Sequence, residues 1–142
     1  MTIARLIEGR SSPIISIDAS ASVRSAVALL AEKRIGALPV MEGGTIAGIF
    51  SERDVVYGLA QNGPAMLDGP VGAVMTAPVI SVDLQSDVLD ALSLMTRRRI
   101  RHLPVVQGGA MVGFISIGDL VKYRIERIES EAQAMRSYIQ SA

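Results

Sequence analysis

Apolar positions along the chain follow a strand-like pattern and then a helical one, and the same alternation runs through twice. Ile14 to Ile17 is a short apolar stretch that follows Pro13 and ends at Asp18; Val79 to Val82 follows Pro78 and ends at Asp83. Each predicts a short strand closed by a turn-forming Asp. Val23, Ala26, Val27, Leu30 and Ala31 then recur at the helical period, as do Val88, Ala91, Leu92 and Met95. This predicts one helix in each half, with Ser22 and Asp87 placed as N-caps. Leu38 to Met41 and Leu103 to Val106 predict buried strands. Gly43-Gly44 and Gly108-Gly109 supply turns compatible with positive φ, and Ile46 to Phe50 and Met111 to Ile115 complete two hairpins. A further helix is predicted to begin near Ser51 in one half and near Ser116 in the other.

The two halves are one unit written twice. Residues 13–56 align with residues 78–121 at a constant offset of 65 without a gap, and 18 of the 44 positions are identical. The predicted architecture is α+β, with helix and strand layered: two β-α-β-β-α repeats followed by a long helix. One copy of about 45 residues buries too little surface to stand alone. Two copies packed sheet against sheet about a pseudo-twofold axis would complete each other. The expected boundaries are an N-terminal segment at 1–12, the first repeat at 13–62, a linker at 63–77, the second repeat at 78–124 and a helical extension at 125–142. Gly63-Pro64, Gly69-Pro70 and Pro78 mark the connector.

The extension differs in kind from the repeats. Val121, Ile125, Ile128, Ala132, Met135 and Ile139 are spaced 4, 3, 4, 3, 4, with Lys122, Arg124, Glu126, Arg127, Glu129 and Glu131 elsewhere around the helix. This is a heptad-type stripe. It either packs back on its own domain or meets a second subunit. A helix this long outruns so small a body, so a homodimer is expected.

Composition narrows the chemistry. Hydrophobic residues make up 49% and mean hydropathy is +0.38, but aromatics are only 4%, so Ile, Val, Leu, Met and Ala must build the core. Lys plus Arg equals Asp plus Glu at 14 each, which leaves no long-range field for DNA or an anionic membrane. The absence of cysteine excludes a disulfide scaffold, a thiolate nucleophile and the common structural zinc sites. Arg5, Glu8 and Arg10 interrupt the N-terminus, and no 18-residue apolar span exists, so a soluble cytoplasmic protein is expected.

The order of motifs resembles the CBS domain family, named after cystathionine β-synthase, whose domains occur in tandem pairs. The matching residues are Arg34-Ile35-Gly36-Ala37-Leu38-Pro39-Val40 with Gly48-Ile49-Phe50-Ser51-Glu52-Arg53-Asp54 in the first copy. In the second they are Arg99-Ile100-Arg101-His102-Leu103-Pro104-Val105 with Gly113-Phe114-Ile115-Ser116-Ile117-Gly118-Asp119. Val74-Met75-Thr76 before the second copy is also similar to the family. The resemblance implies a stand-alone, bacterial-type pair with two clefts between its sheets. It further implies that an adenine nucleotide, AMP first, then ADP, ATP, NAD(H) or S-adenosylmethionine, is a regulatory ligand rather than a required cofactor. With no enzyme attached, any effector protein would act in trans. Such a module would sense energy or redox state, the ligand tightening one repeat against the other and shifting the angle between subunits.

Ser51-x-x-Asp54 and Ser116-x-x-Asp119 are the first candidates for the site. A carboxylate can accept both ribose hydroxyls, and a Ser at a helix start sits beside free N–H groups that favour phosphate. The same spacing is also a capping box that needs no ligand. Family analogy lines an adenine slot with Ile17, Leu38, Pro39 and Ile49, and with Val82, Leu103, Pro104 and Phe114, all of which also read as core. Arg53, Arg101 and His102 are expected near phosphate, and their uneven distribution makes the two sites unequal. Arg97 to Arg99 read as a solvated helix face, and His102 could simply bond to backbone.

Other classes fare worse. One histidine, no cysteine and no metal-ligand cluster leave little for catalysis. Arg97 to His102 is basic enough to suggest nucleic acid, but no aromatic platform accompanies it. A structural dimeric adaptor with empty clefts is the main alternative.

Overall fold

A glycine pair fixes the turn of a β-hairpin at the centre of each half. Gly43 and Gly44 have φ of 59° and 83°, and Gly108 and Gly109 have 59° and 81°. Both residues of each turn are left-handed, the conformation that matches the twist of the strands they join. The computed structural model describes residues 1–10 and 13–141. Ser11, Ser12 and Ala142, where the expected segments 1–12 and 125–142 end, lie outside the described residues.

The chain runs α1 (Ile3–Ile7), β1 (Ile17–Asp18), α2 (Val23–Lys33), β2 (Ala37–Glu42), β3 (Thr45–Ser51) and α3 (Glu52–Asn62). Two 3₁₀ turns, Gly63–Asp68 and Val71–Ala73, lead to α4 (Val88–Arg98), β4 (His102–Gln107), β5 (Ala110–Ser116) and α5 (Ile117–Ser141). The predicted order of strand, helix, hairpin and helix is therefore present in the first half, and the second half has its helix, hairpin and helix. β1 pairs parallel with β2, and β2 pairs antiparallel with β3. β4 and β5 repeat the hairpin in the same register, with His102 opposite Ser116 where Ala37 is opposite Ser51. The strand expected from Val79 to Val82 is reduced to one bridge between Val82 and Val105. Its first residues turn away to line a cleft instead of pairing.

The predicted caps are in place. Ser22 accepts a hydrogen bond from the Ser25 N–H at 3.1 Å, and Asp87 accepts one from the Leu89 N–H at 3.0 Å. Asp18 and Asp83 close their turns by accepting from the N–H groups of Ser20 and Gln85, both at 2.9 Å. Helices α2 and α4 end at Arg34 and Arg99 in the left-handed conformation, φ 54° and 55°. Glycine usually takes that position. Here an arginine holds it in each repeat, and the following Ile35 and Ile100 close the end by donating to Leu30 and Met95.

Each repeat has its own apolar core, and each core is completed from outside the repeat. In the first, Val23, Ala26, Leu30, Leu38, Val40 and Phe50 pack with Met66 and Val71 of the linker. In the second, Val88, Ala91, Met95, Leu103, Val105, Ile115 and Leu120 pack with Ile3. The docking bonds match one for one. Val71 N–H donates to Ala21, Gly72 N–H to Ala19, and Val23 N–H to Gly69, all within 2.8–2.9 Å. Ile3 N–H donates to Ser86 at 2.8 Å, Ala4 N–H to Leu84 at 2.9 Å, and Val88 N–H to Met1 at 3.0 Å. The segment leading into each repeat therefore docks on the other one.

Glycine lets these lead-in segments lie close over the hairpins. A Cβ on Gly48 would sit 2.6 Å from Met75 Sδ and 2.8 Å from the Thr76 carbonyl oxygen. On Gly113 it would sit 3.1 Å from Ile7 Cδ1. β3 and β5 then meet across the pseudo-twofold axis.

Ile3 is fully buried although it lies before either repeat. Replacing Ile3 with Ala should cost about 2–5 kcal/mol, because a cavity opens in the second core. Urea denaturation measures it directly. A loss below about 0.5 kcal/mol would show that the N-terminal segment does not hold that core together.

Candidate functional site

Two clefts open where the repeats meet, and the pseudo-twofold axis relates them. The first is a cavity of ≈ 220 Å³ lined by Ile49, Ser51 and Asp54 from one repeat and by Pro78, Val79, Ile80, Ile100 and His102 from the other. The second, ≈ 320 Å³, is lined by Phe114, Ser116 and Asp119, with Pro13, Ile14, Ile15, Ile35 and Ala37 facing them. Each of these eight residues of the second cleft is the repeat counterpart of one named in the first. Both of these clefts take their lining from the two repeats together.

Asp54 sits in the first turn of α3, and both its oxygens are engaged. Oδ2 accepts from the Ser51 N–H at 2.8 Å and from the Ser51 hydroxyl at 3.2 Å. Oδ1 accepts from the Thr76 hydroxyl at 2.9 Å. Asp119 Oδ2 likewise accepts from the Ser116 N–H at 2.8 Å, and Ser116 Oγ accepts from the Asp119 N–H at 3.2 Å. The capping reading of Ser-x-x-Asp is thus realised in both repeats. It also fixes each carboxylate, with one oxygen bound to its own helix start and the other facing the cleft. Asp119 Oδ1 meets Arg10 Nη2 at 3.2 Å, where Asp54 meets a neutral hydroxyl.

The charges differ between the clefts. Arg53, Arg99 and Arg101 line the first together with Glu52 and Asp54, which leaves it net positive. Arg53 Nη1 reaches across the repeats to donate to the Arg99 carbonyl at 3.4 Å. The second holds only Arg10 against Asp119, which leaves it neutral.

His102 lies between the clefts and lines both. Its ring stacks on Phe114, with centroids 5.5 Å apart and planes within 12°. Burial pushes its pKa below the usual imidazole value, and Arg101 adds to that against the opposing pull of Asp119 and Glu52. A neutral ring can stack and still offer one donor and one acceptor.

The structure brings Ile49, Ser51, Arg53, Asp54, Arg101 and His102 together in the first cleft, and Phe114, Ser116, Asp119 and His102 in the second. The remaining expected slot residues are elsewhere. Leu38 and Leu103 are fully buried in the two cores, and Pro39 and Pro104 are buried between them on β2 and β4. Ile17 packs against the first core and Val82 against the second. Leu38 and Leu103 face the helices of their own repeats, whereas Pro39 and Pro104 point to the opposite face of each hairpin, paired across the strands with Ile49 and Phe114.

Sequence reasoning missed the residues facing each Asp from the opposite repeat, namely Pro78, Val79, Ile80 and Ile100, with Pro13, Ile14, Ile15 and Ile35 as counterparts. The signal was present. Each Pro-led apolar stretch is longer than its strand needs, and the surplus lines the cleft. Thr76 and Arg10 carried no such pattern. Of the arginine run, Arg99 turns into the first cleft, while Arg97 lines a separate hollow beside Asp83 and Asp90. Among the described residues no His, Asp or Glu cluster suits a metal ion, and no helix is long and apolar enough to cross a membrane.

Comparison with known proteins agrees with this geometry. The CBS domain model matches residues 7–61 and 71–126. The mitochondrial CBS domain-containing protein CBSX3 of Arabidopsis thaliana is 36% identical over 124 residues, which cover 84% of this chain. The chain spans 60% of that relative's length. A solved structure of a Burkholderia ambifaria protein with CBS domains superimposes with a TM-score of 0.82 at 38% identity, covering 89% of this chain and 95% of that one. The structure of CBSX2 in complex with AMP superimposes with a TM-score of 0.74 at 27% identity, covering 88% and 96%. With two matched domains on a shared fold, this chain belongs to the CBS domain family, as a tandem CBS pair.

Proposed function

We propose that this CBS pair is a non-catalytic regulatory module that binds an adenine nucleotide between its repeats and passes the ligand's presence to a partner protein. The observation that carries the reading is the fixed carboxylate of Asp54. One oxygen faces a cleft of opposite-repeat apolar residues, and three arginines stand around the same cleft. A carboxylate suits a ribose diol, an apolar wall suits a base, and guanidinium groups suit phosphate. CBSX2, a structural relative, has been solved with AMP. The positive first cleft favours AMP over S-adenosylmethionine, whose sulfonium is cationic; ADP, ATP and NAD(H) are the nearer competitors. A cytoplasmic setting, where such nucleotides circulate, belongs to the same proposal.

Transmission rests on the site's position between repeats. A ligand touching both would favour one arrangement of them, by no more than its difference in affinity for the two states. The partner reads that arrangement.

Helix α5 supports a homodimer. Its 25 residues extend about 37 Å, and Ile125, Ile128, Met135 and Ile139 are 48–65% exposed along one stripe. An adaptor that dimerises with empty clefts draws on the same stripe, which makes it the second reading.

Thermal unfolding against AMP, ADP, ATP, NAD and S-adenosylmethionine separates the two. AMP at about 100 times its Kd should add about 2.7 kcal/mol, a rise of several degrees. Asp54→Asn, which can still cap α3, should abolish that rise. No rise with any of the five would leave the adaptor as the better account. Sedimentation velocity tests the dimer: the native chain should sediment as a dimer and Ile128→Glu as a monomer. A monomeric native chain would contradict it.

A further inference from the structure

We propose that Arg10 is a specificity-determining residue of the second cleft, which competes with ribose for the Asp119 carboxylate and keeps that cleft the weaker of the two. The inference rests on the nucleotide reading above and adds a regulatory residue to it.

The oxygen of each Asp that faces the cleft is the one a ribose diol would engage. At Asp54 that oxygen is held by the Thr76 hydroxyl at 2.9 Å. A hydroxyl is both donor and acceptor, so a ribose hydroxyl can join the pair or share it without displacing a charge. At Asp119 the same oxygen is held by the Arg10 guanidinium at 3.2 Å. A guanidinium only donates and carries a full positive charge, so it holds the carboxylate as an ion pair. A neutral diol reaching Asp119 must first break that ion pair.

The difference is built into the lead-in segments. Their docking bonds set Val71 in the place of Ile3, and counting on from there sets Thr76 in the place of Glu8. The N-terminal segment thus has a carboxylate where the linker has a hydroxyl, and its Arg10 supplies the partner for Asp119. Arg10 is anchored for this role. Its N–H donates to the Ile7 carbonyl at 3.1 Å, and the segment is pinned by buried Ile3. The clearest consequence is that ligand fills the first cleft first, and that whatever lifts the N-terminal segment opens the second.

Calorimetric titration in an Asp54→Asn background, where the first cleft is silenced, tests this with adenosine and with AMP. Adenosine has no phosphate, so it reports the contest for Asp119 alone. Adding Arg10→Ala should tighten adenosine binding about two- to fivefold, the scale of a partly exposed ion pair. Arg10→Lys, which keeps the cation, should stay near the parent value, and Asp119→Asn should abolish the gain. Unchanged or weaker adenosine binding in Arg10→Ala would overturn the proposal. So would a loss confined to AMP, because Arg10 would then be holding phosphate. Titration of the native chain separates failures: a native chain that binds nothing, beside an Arg10→Ala variant that binds, would sink the first-cleft reading and leave the gate standing. Absence of binding in every variant would overturn both.

Discussion

Everything in this structure depends on the crossed docking of the two lead-in segments. Each repeat is too small to close its own core, and what closes it is the stretch of chain that introduces the other repeat. Ile3 fills the second core and Val71 the first, both fully buried and both seated by the same set of backbone hydrogen bonds. Burial of one aliphatic side chain contributes about 1.5–3 kcal/mol, a large share of the net stability of a small domain. The repeats are thereby obliged to face one another. Their relative position is set by covalent continuity as well as by contact between β3 and β5.

The clefts follow from that obligation. The residues just after each lead-in segment, Pro13 to Ile15 and Pro78 to Ile80, are brought against the Ser-x-x-Asp of the opposite repeat. A site made this way needs both repeats, and any ligand in it touches both. The same crossing explains why the sites are unequal. Each Asp receives its partner from a lead-in segment, and these have diverged more than the repeats themselves: Thr76 serves Asp54, and Arg10 serves Asp119. The four arginines of the second copy reinforce the difference, since Arg99 and Arg101 both turn towards the first cleft. His102, where the first repeat has Ala37, then stands as a shared wall between them.

Most of the fold was legible because duplication makes weak signals reinforce one another. A capped helix, a Gly-Gly hairpin and a Ser-x-x-Asp helix start each recur at the same offset, so local chemistry alone placed them. Of the residues assigned to an adenine slot, Leu38 and Leu103 lie in the cores, Ile17 and Val82 pack against them, and Pro39 and Pro104 are buried on the other face of their hairpins. An apolar residue on a strand looks the same whichever side it faces, and only packing decides. The roles of Thr76, although it stands in the Val74-Met75-Thr76 stretch, and of Arg10 were illegible for another reason. Their roles come from where a lead-in segment lands on the distant repeat, and no periodicity encodes that. The heptad spacing on α5 was legible as a stripe, and the structure leaves Ile125, Ile128, Met135 and Ile139 exposed along it.

In the proposed function the working site lies between the repeats, with ribose on Asp54 and phosphate among the arginines. A crystal structure of the chain grown with AMP tests it most directly. The account predicts AMP in the first cleft, its ribose hydroxyls on Asp54 Oδ1 and Thr76, its base against Val79 and Ile80, and its phosphate within reach of Arg53, Arg99 or Arg101. AMP bound outside that cleft, or in it with the phosphate turned away from all three arginines, would contradict the account.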